Sequence, residues 1–132
     1  MSLNMLFYWR RSSMSDLKIS EMQKMQYELW EKHKHEWSPM EPEYGRNFFL
    51  WMIEEIGEAI SIIKKKGEEK IMTSVPVRDA FVEELADVLM YYNEILLRYN
   101  ISPREISDAY QLKHNNNLSR NFTKERSDYL EK

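Results

Sequence analysis

The sequence contains no cysteine, only three glycines and four prolines, and no apolar run long enough to span a membrane. Without cysteine, neither a disulfide nor a thiolate zinc site can form. With so little glycine and proline, long helices are favoured over a β fold with many turns. We therefore expect an all-α protein with no membrane partner and, by default, a cytoplasmic location.

The charge of the chain gives no indication of a nucleic-acid partner. Its 132 residues carry a formal net charge of -3, whereas proteins that bind a nucleic-acid backbone show a basic excess. Hydrophobic residues make up 42% and charged residues 31%, which is typical of a folded domain rather than a disordered chain. The length fits one domain with a real core.

Composition divides the chain into three parts. Residues 1–14 are expected to be a leader outside the fold, because the apolar run at 5–9 is too short for a signal peptide and its arginines follow that run. Residues 15–122 are expected to form the single domain. Residues 123–132 are highly charged and are expected to be a C-terminal tail.

Two helix starts have recognisable capping patterns. The first helix is expected to begin near Ser20, where Ser20 and Gln23 form a capping-box pattern. The fourth is expected to begin after Ser102, which reads as an N-cap residue and is followed by Pro103 at the first helical position and by Glu105. Both helices then carry apolar residues at helical spacing.

The second and third helices are expected to form a pair. We place them at about 46–66 and 77–99, joined by a polar connection over 67–76 that begins with Gly67. So short a connection predicts that the two helices pack antiparallel. Together with the first and fourth helices they would form a four-helix bundle-like unit.

Two groups of carboxylates lie on these paired helices within apolar surroundings. Glu54, Glu55 and Glu58 fall within one narrow arc of the second helix, and Glu84 and Asp87 share a face of the third. Carboxylates crowded in an apolar setting repel one another unless a cation neutralises them. Oxygen ligands without nearby histidine or cysteine suit Mg²⁺ or Mn²⁺. The pattern therefore predicts a divalent metal site between the two helices.

The combined pattern resembles that of the MazG-type nucleoside triphosphate pyrophosphohydrolases, which are all-α NTP pyrophosphatases and include dimeric dUTPases and dCTP pyrophosphatases. Their signature, Glu-Glu-x-x-Glu followed by Glu-x-x-Asp, matches residues 54–58 and 84–87. The resemblance covers roughly residues 20–122. Further matching positions are Trp37, Arg46, Asn47, Tyr91, Lys113, Asn117 and Arg120.

The resemblance implies a reaction and a role for each matching residue. The reaction is Mg²⁺-dependent cleavage between the α- and β-phosphates of an NTP or dNTP, which gives NMP and pyrophosphate. The implied metal ligands are Glu55, Glu58, Glu84 and Asp87. Glu54 would place a further metal ion or the attacking water. The residues implied to bind the substrate are Trp37, Arg46, Asn47, Tyr91, Lys113, Asn117 and Arg120. Family members of this size form homodimers or homotetramers, so an oligomer is expected.

Some of these residues also have ordinary structural alternatives. Lys113 is equally typical of a charge near a helix C-terminus. Tyr91 fits a core residue whose hydroxyl finds a polar partner. Trp37 and Trp51 are candidates for stacking on a base, and Trp51 fits a core position as well.

Two rival functions fit parts of the pattern. A di-iron or di-manganese carboxylate bundle needs Glu-x-x-His pairs, and none of His33, His35 and His114 stands three residues after a Glu. A non-catalytic helical module would use the same acidic patches to bind a partner or a structural ion. Within the enzyme hypothesis the substrate stays open between an unmodified dNTP, with a pyrimidine favoured, a damaged nucleotide and phosphoribosyl-ATP, which is disfavoured.

Overall fold

The computed structural model describes residues 15–132, and every regular element within them is a helix. The elements are α1 (Ile19–His33), a 3-10 turn (Pro42–Tyr44), α2 (Gly45–Thr73), α3 (Val75–Arg98), α4 (Pro103–Ser119) and α5 (Phe122–Leu130). The all-α class is thus confirmed for this part of the chain. None of these helices combines the length and apolarity needed to cross a membrane. The leader expected at 1–14 lies outside the described residues.

The chain forms two compact units, the first ending at Ile101 and the second beginning at Ser102. The first unit contains α1, the 3-10 turn, α2 and α3, which are three of the four helices expected in the bundle. The expected fourth helix, α4, lies in the second unit together with α5.

Helices α2 and α3 are the central packed pair of the first unit, and α1 packs against α3. Phe48, near the start of α2, contacts Tyr91 and Arg98 in the second half of α3. Further along α2, Glu55 meets residues from the first half of α3. Contacts that run in opposite directions along the two helices confirm the predicted antiparallel packing.

The connection between α2 and α3 differs from the prediction. Gly67 adopts φ 78° and ψ 162°, so the helix is interrupted where the glycine indicated. Residues 68–73 are helical again, and Ser74 alone separates α2 from α3. The loop predicted over 67–76 is wrong, because 68–73 is rich in good helix formers and Pro76 falls in the first turn of α3, where proline is tolerated.

Of the two helix caps predicted from the sequence, the structure confirms the one at Ser102 and not the one at Ser20. The Ser102 hydroxyl accepts a hydrogen bond from the backbone N–H of the third helical residue at 3.1 Å, which confirms the predicted cap of α4. The N-cap of α1 is Lys18 rather than Ser20, and the Glu21 carboxylate accepts from the Lys18 N–H at 3.3 Å. Gln23 does not serve a capping box, because its side chain is buried and donates to a carbonyl beyond α3.

The segment expected as a charged C-terminal tail is largely helical. Helix α5 covers Phe122–Leu130, and the side chain of Asn121 caps it by accepting from the Lys124 N–H at 3.0 Å. Its residues are exposed throughout. Local capping therefore accounts for this helix without any buried face.

A polar network crosses the core of the first unit. Glu94 and Arg98 are each 1% exposed and form an ion pair within α3. The Gln26 amide of α1 donates to Glu94 at 2.7 Å. Arg98 donates to the Ser38 carbonyl at 3.1 Å and lies 3.9 Å from the ring centroid of Phe48. The network thereby joins α1, the loop after it, α2 and α3.

Replacing Gly67 by alanine is expected to destabilise the protein by about 1–3 kcal/mol, because the backbone region it occupies is nearly exclusive to glycine. Urea unfolding followed by circular dichroism measures the change. Gly57→Ala is the matched control: Gly57 lies inside α2 with open space around its Cβ position, and this substitution is expected to stabilise by about 0.5–1 kcal/mol. Equal effects of the two substitutions would contradict the assigned backbone strain.

Candidate metal centre and adjoining cleft

Three carboxylates meet where α2 and α3 face each other. Glu55, Glu84 and Asp87 each offer an oxygen, and the three oxygens lie within 4.8 Å of one another. All three side chains are half-buried. Glu84 and Asp87 are one turn apart on α3, and the antiparallel packing brings Glu55 opposite them. This donor set consists only of carboxylate oxygens, so it fits Mg²⁺ or Mn²⁺.

Crowding of these carboxylates acts on the pKa of Glu55. The pKa of Glu55 lies above its ordinary value, first because its carboxyl shares a hydrogen bond with Glu84. Burial raises this pKa further, as do the negative charges of Asp87, Glu84 and Glu58. Two carboxylates this close cannot both ionise without cost, and a divalent cation would remove the repulsion.

Glu54 and Glu58 flank this centre on α2, and both are exposed. Glu58 stands outside the group of three oxygens, but its charge contributes to the raised pKa of Glu55. Glu54 lines a cleft together with Asp87. The five carboxylates singled out in the sequence therefore gather at one place, with a core of three.

The cleft beside the carboxylates has a volume of about 590 Å³. That volume falls within the range of small-molecule sites in proteins. Residues from α1, the loop after it, α2 and α3 line it. Those that sequence analysis or packing had singled out are Trp37, Phe48, Trp51, Glu54, Asp87 and Tyr91.

Aromatic side chains form much of the cleft lining. Trp51 packs edge-on against Phe48 with ring centroids 4.8 Å apart, and its centroid lies 6.2 Å from that of Tyr91. Trp37 stacks on His33 at 4.9 Å. Both tryptophans are 38% exposed. Trp51 is thus a cleft residue with one side against the core, and both indoles present surface to a ligand.

Tyr91 lies one turn after Asp87 on α3 and lines the cleft. Partial burial is the main cause that raises the pKa of its phenol, and the charges of Glu55, Asp87 and Glu54 raise it further. The phenol is therefore protonated at neutral pH. A protonated hydroxyl can donate a hydrogen bond to an acceptor in the cleft.

Arg46 and Asn47 lie in the first turn of α2, and neither lines the cleft. Arg46 is exposed and Asn47 is half-buried. The position of this turn is set by Gly45, because a Cβ atom there would come within 2.5 Å of the Tyr99 ring. The Tyr99 ring therefore lies directly against the start of α2, and a larger residue at position 45 would displace this ring.

The remaining predicted substrate-binding residues belong to the second unit. Lys113 is exposed on α4. Arg120, just beyond α4, forms an ion pair with Glu125 and donates to the Asn117 side chain at 3.2 Å. Hydrogen bonding to Arg120 lowers the pKa of Glu125. Asn117 and Arg120 are thus brought together within this unit.

The polar residues at the base of the cleft were missed by sequence reasoning. Gln26 and Glu94 both line the cleft and hydrogen-bond to each other. Glu94 and Arg98 are four residues apart, a spacing that usually indicates a solvated pair on a helix surface. One feature of the sequence does point to Glu94: it continues, at helical spacing, the stripe on α3 that contains Glu84, Asp87 and Tyr91.

Comparison with protein-family models, curated proteins and solved structures finds no match to this chain. The resemblance to MazG-type pyrophosphohydrolases therefore depends on the motifs alone. The geometry contributes independent facts: the carboxylates of both motifs converge, and a cleft adjoins them.

Glu55→Gln is expected to raise the melting temperature of the metal-free protein by about 2 °C. Because the pKa of Glu55 is raised by folding, its ionised form opposes folding above that pKa, and a neutral amide removes the penalty. The same change is expected to weaken Mg²⁺ binding roughly tenfold or more, since an amide carries no charge. Calorimetry in EDTA and titration with Mg²⁺ measure the two effects.

Glu28→Gln provides the control for this test, because Glu28 is exposed on α1 and belongs neither to the carboxylate group nor to the cleft lining. It is expected to leave both the melting temperature and Mg²⁺ binding unchanged. A melting temperature of Glu55→Gln that equals or falls below that of the unmodified protein would contradict the proposed repulsion.

Proposed function

We propose that this chain is a Mg²⁺-dependent nucleoside triphosphate pyrophosphohydrolase of the MazG-like type, with Mn²⁺ as a possible substitute. The observation that supports it is the convergence of Glu55, Glu84 and Asp87 beside a cleft lined by aromatic side chains. A triphosphate bridged by metal ions suits the carboxylates, and a nucleoside suits the cleft. The products would be a nucleoside monophosphate and pyrophosphate, as in nucleotide-pool sanitation.

The carboxylates would hold the metal ion, with Glu58 completing the set from the next turn of α2. Once bound, the ion would neutralise phosphate charge and lower the pKa of a coordinated water. Without it, the acidic cluster would repel the triphosphate. The protein needs no nucleophile of its own, so positioning and charge stabilisation supply most of the catalysis.

Two cleft residues have further proposed roles. Glu54, beside Asp87, would orient the attacking water and accept its proton as the water oxygen bonds to the α-phosphorus. The bridging bond to the β-phosphate then breaks, and pyrophosphate leaves. Tyr91, protonated and half-buried, would donate a hydrogen bond to the sugar or phosphate.

The resemblance supplies the other assignments. It assigns the helices to the four-helix unit of the all-α NTP pyrophosphatases. Phosphate donors would be Lys113, Arg120 and Arg46, since phosphate oxygens need cationic partners in addition to the metal. Asn47 and Asn117 would contact the sugar or the base, with Trp37 and Trp51 stacking on the base.

A homodimer or homotetramer is part of the proposal. Phe49, Leu50, Ile53 and Ile60 of α2 are between 45% and 60% exposed, and large apolar side chains grouped on one element favour association. Light scattering after gel filtration is expected to give twice or four times the chain mass of 16.1 kDa. Ile53→Glu is expected to yield monomers, since it places a charge in the interface.

Leu118→Glu controls for that substitution, because Leu118 is 75% exposed on α4 in the second unit. It is expected to leave the mass unchanged. A single-chain mass for the unmodified protein would contradict the oligomer.

The hydrolase proposal is tested by measuring pyrophosphate release from NTPs, dNTPs and modified nucleotides with Mg²⁺. Glu58→Gln and Asp87→Asn are each expected to lower turnover by about 100-fold or more, since each removes a metal ligand. Circular dichroism is expected to show unchanged helicity, and EDTA to abolish activity.

The control in this assay is again Glu28→Gln, which is expected to retain full activity. Metal binding with no turnover of any nucleotide would instead indicate a non-catalytic metal-binding helical module. Retained turnover in Glu58→Gln or Asp87→Asn would refute the role of that residue as a metal ligand.

A further inference from the structure

A buried carboxylate lies at the base of the cleft. Glu94 is among the lining residues, although only 1% of its surface is exposed. One of its oxygens accepts from the Gln26 amide at 2.7 Å, and the other pairs with Arg98. An ionised carboxylate offers about four acceptor sites. Glu94 therefore keeps acceptor capacity for a further donor in the cleft.

In general, packed helices can be joined without a buried charge. Burying an ion pair costs desolvation energy, and apolar residues of similar volume often hold helices together equally well. Here the charge of Glu94 is compensated by Arg98, and its orientation is set from two sides. Such an arrangement presents an acceptor of fixed position to a cleft that aromatic side chains help to line.

The spacing along α3 relates Glu94 to the metal centre. Asp87 and Glu94 are seven residues apart, which is two helical turns, so both lie on one face about 10 Å apart along the axis. Tyr91 stands between them, and the charges of both residues act on its phenol. A ligand with its phosphates at Asp87 would extend its nucleoside past Tyr91 toward Glu94.

We infer that Glu94 determines the base specificity of this cleft by accepting a hydrogen bond from the exocyclic amino group of a nucleobase. The cleft would then bind nucleotides of adenine, cytosine or guanine in preference to those of uracil or thymine, which have no amino group. Uracil and thymine place a carbonyl oxygen where cytosine carries its amino group, and that oxygen would face a buried carboxylate without a hydrogen bond. The inference relies on the proposed function for the placement of the phosphates.

The first test uses the unmodified protein with Mg²⁺ and α,β-methylene triphosphate analogues, which cannot be cleaved at that position. Titration calorimetry is expected to show that amino-bearing bases bind about tenfold or more tightly than uracil and thymine. Dimethylation of the amino group in the best ligand is expected to cause a similar loss, because both donors are removed. The monomethyl analogue keeps one donor and is expected to bind nearly as well as its parent.

Three results of this series would overturn the inference: equal affinity for all bases, no loss on dimethylation, or no binding of any analogue. Since the series uses only the unmodified protein, it does not depend on whether a variant folds.

The second test is Glu94→Gln. This substitution preserves the shape of the side chain but replaces one carboxylate oxygen, an acceptor, by an NH₂ group, which donates. The preference for amino-bearing bases is expected to shrink at least severalfold or to reverse. Gln23→Leu is the matched control, because it removes another buried hydrogen bond of α1, at 3.2 Å, from a residue that does not line the cleft. It is expected to lower stability and leave base preference unchanged. An unchanged preference in folded Glu94→Gln would overturn the inference.

The two proposals fail in distinguishable ways. Preferential binding of amino-bearing bases without pyrophosphate release would refute the hydrolase and support the role of Glu94. Pyrophosphate release with indifference to the base would refute only the role of Glu94.

Discussion

The ion pair between Glu94 and Arg98 is the interaction on which the first unit depends. Arg98 also donates to the Ser38 carbonyl, and Trp30 donates to the same carbonyl at 2.9 Å. The loop that carries Trp37 is therefore held at one carbonyl by two donors. Removing either member of the pair would leave a charge buried at the junction of α1, α2 and α3. The same ion pair therefore supports both the packing of the three helices and the wall of the cleft.

One face of α3 carries carboxylates in two contrasting environments. Glu94 has Arg98 and Gln26 as partners, so its charge is compensated within the protein. Glu84 and Asp87 instead face Glu55, another carboxylate. In the proposed enzyme, compensation at this second place comes from a bound cation. The contrast explains how a single helix can offer a rigid polar contact at one end of a cleft and a metal-dependent one at the other.

The sequence predicted the all-α class and the convergence of carboxylates from two helices because both depend on local regularities. Scarce glycine and proline indicate helices, and spacing along two antiparallel helices is enough to bring Glu55 opposite Glu84. The helical segment after Gly67 differs from the prediction because a glycine in this conformation usually ends a helix, whereas here helical structure resumes at once. The burial of Glu94 depends on Gln26, which lies 68 residues earlier in the chain, and no local pattern reveals such a contact.

The interruption at Gly67 also separates two parts of α2 in helical phase. In a continuous helix, each inserted residue would rotate everything beyond it by about 100°. Here the backbone leaves the helical path at Gly67 and again at Ser74, so residues 68–73 are not in phase with either Glu55 or Glu84. The segment also packs against the core, since Ile71 within it is only 6% exposed. The corner between the two acidic helices is therefore a short packed helical segment with its own core residue, rather than an exposed loop.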